Sequence, residues 1–434
     1  MARWAVIGGG VLGLSLAHRL VDRGEDVTLL EAAPELGGLA AAWQLGDVVW
    51  DRHYHVILLS DLRTRGMVAD AGLDDELHWV ETRTGYYGPD NVLRSVSNTL
   101  EFLRLPGLNL IDKLRLGGTI FYGSRIRDGR RMEREPVVAW LRRWSGGRTF
   151  ERFWLPLLRA KLGEAYREAS SAFIWATIQR LYAARRTGLK KEMFGYVSGG
   201  YAHILSCYAQ VLTGKGVAIR TSRPVGAVRP SSDGGLEVHG RDGSIERFDQ
   251  VIVTAAGGLA ADLCPDLTPA EHERLRAVRY MGVVCASLLL KGPLGPYYLT
   301  YITDPATPFT AVVEMTAFVD PVEVGGRTLV YLPKYVDPDD PLLAASDDEI
   351  RAAFWPYLVR MYPSLHEDDV LAFQVSRVKR VFAIPTIGFS DAMPPMATSI
   401  PGLHLVGSAQ LPFATLNVND TLGLVDEFIA GNVA

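Results

Sequence analysis

Cysteine is scarce in this chain of 434 residues, which contains only Cys207, Cys264 and Cys285, far apart and without a CxxC pair. This scarcity excludes a disulfide framework, predicts no structural metal site, and is typical of a reducing compartment such as the cytoplasm. We expect no signal peptide, because the apolar run Trp4–Ile7 is short and ends at three glycines.

Long apolar runs without a helix breaker are also lacking. The longest uncharged stretch, residues 392–419, contains four prolines that would interrupt a membrane-spanning helix. Hydrophobic residues make up 48% of the chain and charged residues 22%, which excludes a disordered chain, a collagen-like fibre and a coiled coil. The length suits two or three domains, or one domain with a large inserted lobe.

The charge is unevenly distributed along the chain. Residues 94–191 hold 21 Lys and Arg against 8 Asp and Glu, a net charge of +13, whereas the whole chain carries −4 and the remainder therefore −17. This basic block favours a surface for phosphate, a nucleotide or anionic lipid headgroups, and solvated, partly self-paired helices explain it equally. The block has no recognised nucleic-acid-binding motif, so nucleic acid is not an expected partner.

A glycine-rich turn lies near the N-terminus, where Gly8–Gly13 fits the pattern G-x-G-x-x-G. The apolar run Trp4–Ile7 precedes it, a helical pattern follows it, and the second apolar run Asp26–Leu30 ends at Glu31. This order of strand, turn, helix, strand and acid is the context in which the pattern predicts dinucleotide binding.

Each position of the turn has a physical role in such a site. Gly8 permits the tight turn, Gly10 lets a pyrophosphate approach the backbone, and Gly13 lets the helix pack on the strand. The pyrophosphate would lie at the helix N-terminus formed by Val11 and Leu12. Glu31 would accept hydrogen bonds from the ribose hydroxyls.

The segment after Glu31 reads E-A-A-P-E-L-G-G-L-A and resembles the extended fingerprint of the flavin amine oxidase superfamily. That group includes the amine oxidases, protoporphyrinogen oxidase, the phytoene desaturases and, more distantly, UDP-galactopyranose mutase. The resemblance implies FAD as cofactor, with a loop running under its ribityl-phosphate arm. The loop residues implied are Ala32, Gly37, Gly38, Leu39 and Ala40, the last standing where many members have arginine.

Three later segments extend the resemblance. Residues 223–228 are similar to the strand whose valine backbone pairs with the adenine, which implies this role for Val225. Residues 195–201 resemble the family's Gly-Gly turn before a helix. Residues 400–408 resemble the last flavin-domain strand, which implies that Gly407 meets the pyrophosphate and that Ser408 replaces the usual acid.

The C-terminal segment resembles the helix whose N-terminus faces the flavin ring. We expect this helix to run from Asn419 to Ile429, with Asn419, Thr421 and Leu422 near the cofactor. Asn is a good N-cap residue, and the helix dipole would stabilise negative charge on reduced flavin.

The resemblance implies an α/β fold in which a glutathione-reductase-like FAD-binding Rossmann domain is interleaved with an α+β substrate domain. The expected FAD-binding domain comprises residues 1–59, 192–284 and 386–434. The expected substrate-binding domain comprises residues 60–191 and 285–385.

The implied activity is oxidation or desaturation of a small organic substrate, anionic or lipid-soluble, by hydride transfer to flavin N5. A second G-x-G-x-x-G after a strand is missing, so we expect electrons to leave to oxygen, a quinone or a carrier protein. A redox-neutral, mutase-like flavoenzyme acting on a nucleotide sugar or lipid diphosphate is the alternative. A non-catalytic flavin-binding protein is a third interpretation.

Two residues are candidates for catalysis. The segment 51–57 resembles the Gly-Pro-His stretch of the mutases, which implies that His55 lies beside the flavin and tunes it or moves a proton. A structural hydrogen-bonding role for His53 and His55 is the alternative. Some related oxidases place a lysine near N5, which makes Lys334 a candidate, although a surface lysine explains it as well.

Two further blocks mix apolar residues with cations. Residues 102–116 are similar to the face through which relatives with lipid-soluble substrates contact a membrane, so peripheral membrane contact is an open expectation; a buried helical hairpin explains the block equally. In the second block, Arg159 and Lys161 could bind a substrate phosphate or pair with local acids.

Overall fold

The computed structural model describes residues 1–97, 101, 104, 107–185, 193–413 and 417–433. The strands of this part, in chain order, are β1 (Arg3–Ile7), β2 (Asp26–Leu30), β3 (Ala42–Leu45), β4 (Val48–Asp51), β5 (Ile57–Leu58), β6 (Leu77–Glu81), β7 (Thr84–Tyr87), β8 (Leu93–Ser95), β9 (Met193–Val197), β10 (Ala218–Arg220), β11 (Val225–Pro230), β12 (Leu236–Gly240), β13 (Ile245–Phe248), β14 (Gln250–Val253), β15 (Tyr280–Leu290), β16 (Leu299–Ile302), β17 (Ala311–Glu314), β18 (Thr328–Val336), β19 (Val370–Ala383) and β20 (Leu403–Leu405).

The α-helices of the same part are α1 (Val11–Val21), α2 (Leu62–Asp70), α3 (Leu110–Arg125), α4 (Gly129–Glu133), α5 (Val137–Ser145), α6 (Gly147–Thr149), α7 (Leu155–Leu162), α8 (Ala172–Arg185), α9 (Gly200–Gly214), α10 (Gly257–Leu263), α11 (Pro269–Ala277), α12 (Asp347–Met361), α13 (Phe389–Ala392) and α14 (Val418–Asn432). A π-helical segment, Phe150–Trp154, joins α6 to α7.

A parallel sheet in the order β10-β2-β1-β14-β20 confirms the predicted strand, turn, helix and strand at the N-terminus. Its strands are short apolar runs buried on both faces, as a parallel sheet requires. Helices α1, α9 and α14 pack on one face, and β11–β13 with α10 and α11 cover the other. Because the strands are parallel, their carboxyl ends meet at one edge, where the glycine turn lies.

A second, mixed sheet has the order β19-β15-β18-β17-β16-β7-β8, with β16 and β7 parallel and its other pairs antiparallel. All eleven residues of β15 are buried, because one face of the sheet packs on α12 and the other on the β3–β4 hairpin and β9. The helices between α3 and α8 form a separate core that contacts the ends of β15 and β19.

The two sheets draw their strands from alternating parts of the chain. The parallel sheet uses strands before residue 31, between 218 and 253, and after 402, whereas the mixed sheet uses residues 84–95 and 280–383. The boundary predicted between residues 284 and 285 falls inside β15.

Candidate functional site

The glycine turn joins β1 to α1 at the carboxyl edge of the parallel sheet. Gly8 has φ +113°, a conformation that L side chains rarely adopt, and a Cβ there would collide with Thr254 Oγ1. A Cβ on Gly13 would collide with the carbonyl oxygen of Gly8. These two glycines are therefore required by the fold itself.

Gly10 differs from its neighbours because no protein atom requires it to lack a side chain. Its φ of −74° is open to any residue, and a Cβ at this position would have Gly37 O, 3.8 Å away, as its nearest neighbour. Val11 and Leu12 begin α1 directly after it, and no side chain caps this helix. Open space next to uncapped backbone N–H groups fits an anion such as a pyrophosphate.

The predicted Gly-Gly loop lies against this turn. Gly37 N donates to Gly9 O at 2.8 Å, and Gly10 and Gly37 form a parallel bridge. A Cβ on Gly38 would lie 3.4 Å from the Cα of Gly10. Leu39 and Ala40 follow as a single 3₁₀ turn, so the loop and the glycine turn form one cradle although they come from separate parts of the chain.

Glu31 holds this cradle together at the end of β2. Its Oε2 accepts a hydrogen bond from Gly9 N at 2.6 Å, and its Oε1 accepts one from Ala33 N at 2.8 Å. A carboxylate has about four acceptor positions, so each oxygen can still accept a ribose hydroxyl. Ala32 lies exposed beside it.

Val225 lies at the start of β11, close to the end of β2, where Glu31 follows. Arg223 N donates to Glu31 O at 2.8 Å, which ties the start of β11 to the end of β2. Val225 lines a shallow cavity there, together with Leu30, Arg223, Pro224, Val238, Gly240, Asp242, Ser244 and Glu246.

Gly407 and Ser408 follow β20 at the same edge of the sheet. A Cβ on Gly407 would lie 3.0 Å from Ala255 O, and its N–H donates to Gln410 Oε1 at 2.8 Å. Ser408 lies beside Tyr280, whose hydroxyl oxygen accepts from Gly257 N at 2.9 Å. At the position where the resemblance implies an acid, this chain therefore has a serine beside a tyrosine hydroxyl.

The N-cap of the C-terminal helix lies two residues before the predicted one. Asn417 caps α14 by accepting from Asp420 N at 2.9 Å, whereas Asn419 Oδ1 accepts from Arg63 N at 3.0 Å and ties the helix to α2. Thr421 Oγ1 donates to Asn417 O at 2.9 Å, and Leu422 is buried under α1. The predicted N-cap was wrong because two asparagines lie within three residues of each other.

The two histidines after β4 are half-buried and hydrogen-bonded. His53 Nδ1 lies 3.1 Å from Leu39 O and its Nε2 lies 3.0 Å from Ser376 Oγ, while His55 Nδ1 lies 2.9 Å from His53 O. A carbonyl only accepts, so both Nδ1 atoms carry the proton and both Nε2 atoms are acceptors. Burial lowers the pKa of His53 and lowers that of His55 to about 4, which keeps both rings neutral.

Asp51 lies beneath His55 and holds the start of α9. Its Oδ1 accepts from Tyr201 N at 2.8 Å, and its Oδ2 lies 3.8 Å from His55 Nδ1. Burial raises the pKa of Asp51 to about 8 against the opposing effect of its backbone N–H partners. The His55 ring lies 4.9 Å from the Tyr201 ring, centroid to centroid, so the predicted residue belongs to a packed acid–histidine–tyrosine group.

The fold places Lys334 and His55 in different surroundings. Lys334 pairs with Val284 and shares the face of β18 that packs on α12, and burial lowers its pKa while Asp340 opposes that effect. The opposite face presents Tyr331, which donates to Asp51 O, and Tyr335, whose hydroxyl lies 3.0 Å from that of Tyr54.

Sequence reasoning missed the tyrosines and left Lys161 undecided. The Lys161 ammonium lies 3.7 Å from the Tyr335 ring centroid and 5.4 Å from that of Phe382. It forms no ion pair within the described residues. Alternation along an apolar strand could have indicated that Tyr335 and Lys334 face opposite ways, but not which of them faces the cradle. Arg159 pairs with Glu164 instead.

A parallel sheet with a glycine cradle and an acid at its carboxyl edge defines a dinucleotide-binding α/β protein. Residues 13–411 match the family described as flavin containing amine oxidoreductase, and the chain belongs to that family. It is a flavin-dependent oxidoreductase, as predicted.

Individual relatives agree with this assignment. The chain is 22% identical to the zeta-carotene desaturase of Synechocystis sp., over 94% of this chain and 92% of that protein. It superposes on the structure of a candidate protoporphyrinogen oxidase from Exiguobacterium sp. 255-15 with a TM-score of 0.77, at 18% identity, over 99% and 98% of the two chains. Reduced UDP-galactopyranose mutase gives a TM-score of 0.73 at 14% identity, over 100% and 97%. These likenesses confirm the predicted fold class.

Proposed function

We propose that the flavin is FAD and that the protein oxidises or desaturates a small organic substrate. The observation that carries the cofactor assignment is the open space at Gly10 beside Glu31, in a turn whose other glycines are fixed by packing. Residues 1–59, 192–284 and 386–434 would form the FAD-binding domain, and residues 60–191 and 285–385 the substrate-binding domain.

The bound FAD would supply a hydride acceptor at N5. The protein would contribute a wall that excludes water, built from Tyr54, Tyr335 and the buried Phe382 on the cradle-facing side of the mixed sheet. Burial raises the pKa of Tyr54, so its hydroxyl stays protonated. A wall without permanent charge, apart from one lysine, suits removal of a hydride from an uncharged carbon.

His53 would fix the position of the cradle relative to this wall. Its ring joins Leu39 O on the cradle loop to Ser376 on β19. Because both ring nitrogens are engaged, His53 acts as a positioning residue, whereas the unshared Nε2 of His55 is free to accept a proton in the described structure. Oxygen, a quinone or a carrier protein would receive the electrons.

The test is an anaerobic screen of candidate substrates with the purified protein. The cofactor released by denaturation is first identified as FAD or another flavin by chromatography. A substrate that is oxidised bleaches the visible flavin band without any added reductant. A protein that retains FAD but is bleached by no amine, polyene or porphyrinogen would overturn the proposed oxidation.

A redox-neutral reaction on a phosphorylated substrate is the second candidate, and Lys161 favours it. A half-buried ammonium held over two aromatic rings, without an ion pair in the described chain, is available to an anionic group. Turnover of a nucleotide sugar or lipid diphosphate only after chemical reduction of the flavin would establish this reaction, and a Lys161→Met variant would then raise KM more than it lowers kcat.

A further inference from the structure

Helix α3 exposes several large apolar side chains and buries several polar ones. Four large apolar side chains are exposed, with exposed fractions of 66% for Leu110, 62% for Ile111, 67% for Leu114 and 53% for Phe121, alongside the exposed Arg115 and Arg125. Its inward face contains polar residues, namely Asp112, Thr119 and Ser124, each at most 6% exposed. A surface helix normally places these two classes the other way round.

The inward polar face is tied to the neighbouring helices, so α3 cannot rotate to bury its apolar side. Thr119 Oγ1 accepts from Ser145 Oγ at 2.9 Å, and Ser145 Oγ accepts from Trp154 Nε1 at 2.9 Å. Asp112 Oδ2 lies 3.3 Å from Arg148 Nε, and Asp112 Oδ1 accepts from Thr149 Oγ1 at 3.4 Å. Breaking this network would leave buried polar atoms without partners.

Aromatic and cationic side chains border the exposed apolar face. Trp144 is 40% exposed and stacks on Tyr122 with ring centroids 4.1 Å apart, and the Arg125 guanidinium lies 4.9 Å from the centroid of Phe121. Amphipathic aromatic rings and long cationic side chains can reach from an apolar layer into a layer of headgroups.

The surrounding surface is strongly basic. Several exposed arginines near the helix form no ion pair within the described residues, namely Arg115, Arg125, Arg127, Arg131 and Arg134. They belong to the block of residues 94–191 with net charge +13 in a chain of net charge −4. An apolar stripe with exposed cations on its own helix and on the segment that follows it matches a surface that is apolar within and anionic outside.

We propose that the outward face of α3 docks on membranes that contain anionic lipids, with Leu110, Ile111, Leu114 and Phe121 entering the acyl boundary. The helix has 16 residues and lies along the surface; among the described residues, no helix combines the length and apolar character needed to cross a bilayer. Of the predicted block 102–116, Leu116 is buried, and residues 102, 103, 105 and 106 lie outside the described residues. The inference is independent of the reaction catalysed.

The experiment measures co-sedimentation of the full flavin-loaded chain with vesicles of phosphatidylglycerol and phosphatidylcholine, and with vesicles of phosphatidylcholine alone. We expect binding to the anionic vesicles that weakens with added salt, and at least tenfold weaker partitioning for a Leu114→Ser/Phe121→Ser double variant, because both apolar anchors are removed. The matched control is Val322→Ser/Ile387→Ser, which changes two exposed apolar residues elsewhere (72% and 49% exposed) and leaves binding unchanged.

Unfolding temperature and flavin content are measured for both variants and should match the parent protein, since all four side chains are exposed. Absence of vesicle binding, equal binding to neutral vesicles, or equal loss in the control variant would each overturn the proposal. A dimer in solution that the Leu114→Ser/Phe121→Ser variant dissociates would also overturn it, because a second copy would then cover the face. None of these readouts depends on substrate turnover.

Discussion

The parallel and the mixed sheet present functional groups in different ways. At the carboxyl edge of the parallel sheet, the cradle is built from backbone: Gly8–Gly13 and the loop at Gly37, joined by Glu31. On the mixed sheet, the opposite wall is built from side chains such as Tyr54 and Tyr335, which are 281 residues apart in the chain. A short stretch of sequence determines the first kind of site, whereas the second depends on the register between strands that are far apart in the chain.

Among substitutions in the cradle, we expect the largest loss of stability at Gly13. A Gly13→Ala methyl would collide with Gly8 O, so the turn between β1 and α1 must shift. Overpacking of this kind costs about 3 kcal/mol. Chemical unfolding and soluble yield measure the loss, and a variant as stable as the parent would contradict the packing role assigned to this glycine.

Gly10→Ala is the matched variant, which should separate cofactor binding from folding. Its methyl group enters open space at an ordinary backbone conformation, so the flavin-free variant should unfold within about 0.5 kcal/mol of the flavin-free parent. The same methyl would block the approach of the pyrophosphate, so the purified variant should be colourless. A yellow Gly10→Ala protein with full flavin content would show that the cofactor does not lie on this turn.

Asp51, which lies between the parallel and the mixed sheet, should make the free energy of unfolding depend on pH. Its folded pKa of about 8 lies above the ordinary value of 3.8, so the stability linked to its proton is lost as pH rises towards 8. His55, lowered from 6.5 to about 4, gives the opposite trend between pH 6.5 and 4. The two trends offset each other below pH 6.5. The free energy of unfolding should therefore fall by about 2 kcal/mol between pH 6.5 and 8.

The measurement is the free energy of unfolding across this pH range for the parent and for Asp51→Asn. The variant cannot ionise at this position and should show no fall between pH 6.5 and 8. An identical slope in both proteins would assign the pH dependence to another group.

The smallest effect is expected on the wall of the mixed sheet. Tyr335→Phe removes the hydrogen bond between the Tyr335 and Tyr54 hydroxyls, at a cost of about 1 kcal/mol. The Tyr54→Phe/Tyr335→Phe double variant should be no less stable than either single variant, because the two hydroxyls satisfy each other. Additive losses in thermal unfolding would show that each hydroxyl has a separate partner.

The contrast between the sheets also explains how much the sequence predicts. The turn at Gly8–Gly13, Glu31 and the loop at Gly37 follow from local spacing, because the order of strand, turn, helix, strand and acid is contained within one short stretch of the chain. Lys334 and Tyr335 are adjacent in the same apolar run, and only the pairing with Val284 and Val283 decides which one faces the cradle. Likewise, the buried polar partners of α3 come from α5 and its continuation, so the outward direction of Leu114 could not be read from its own segment.

The alternating use of the chain by the two sheets has a consequence for biosynthesis. The mixed sheet needs β19, residues 370–383, and the parallel sheet needs β20, residues 403–405, before either has all its strands. Strands earlier in the chain, including the wholly buried β15, therefore keep apolar surface uncovered until these late strands have been synthesised. We therefore expect chains truncated before residue 370 to aggregate more readily than the full chain.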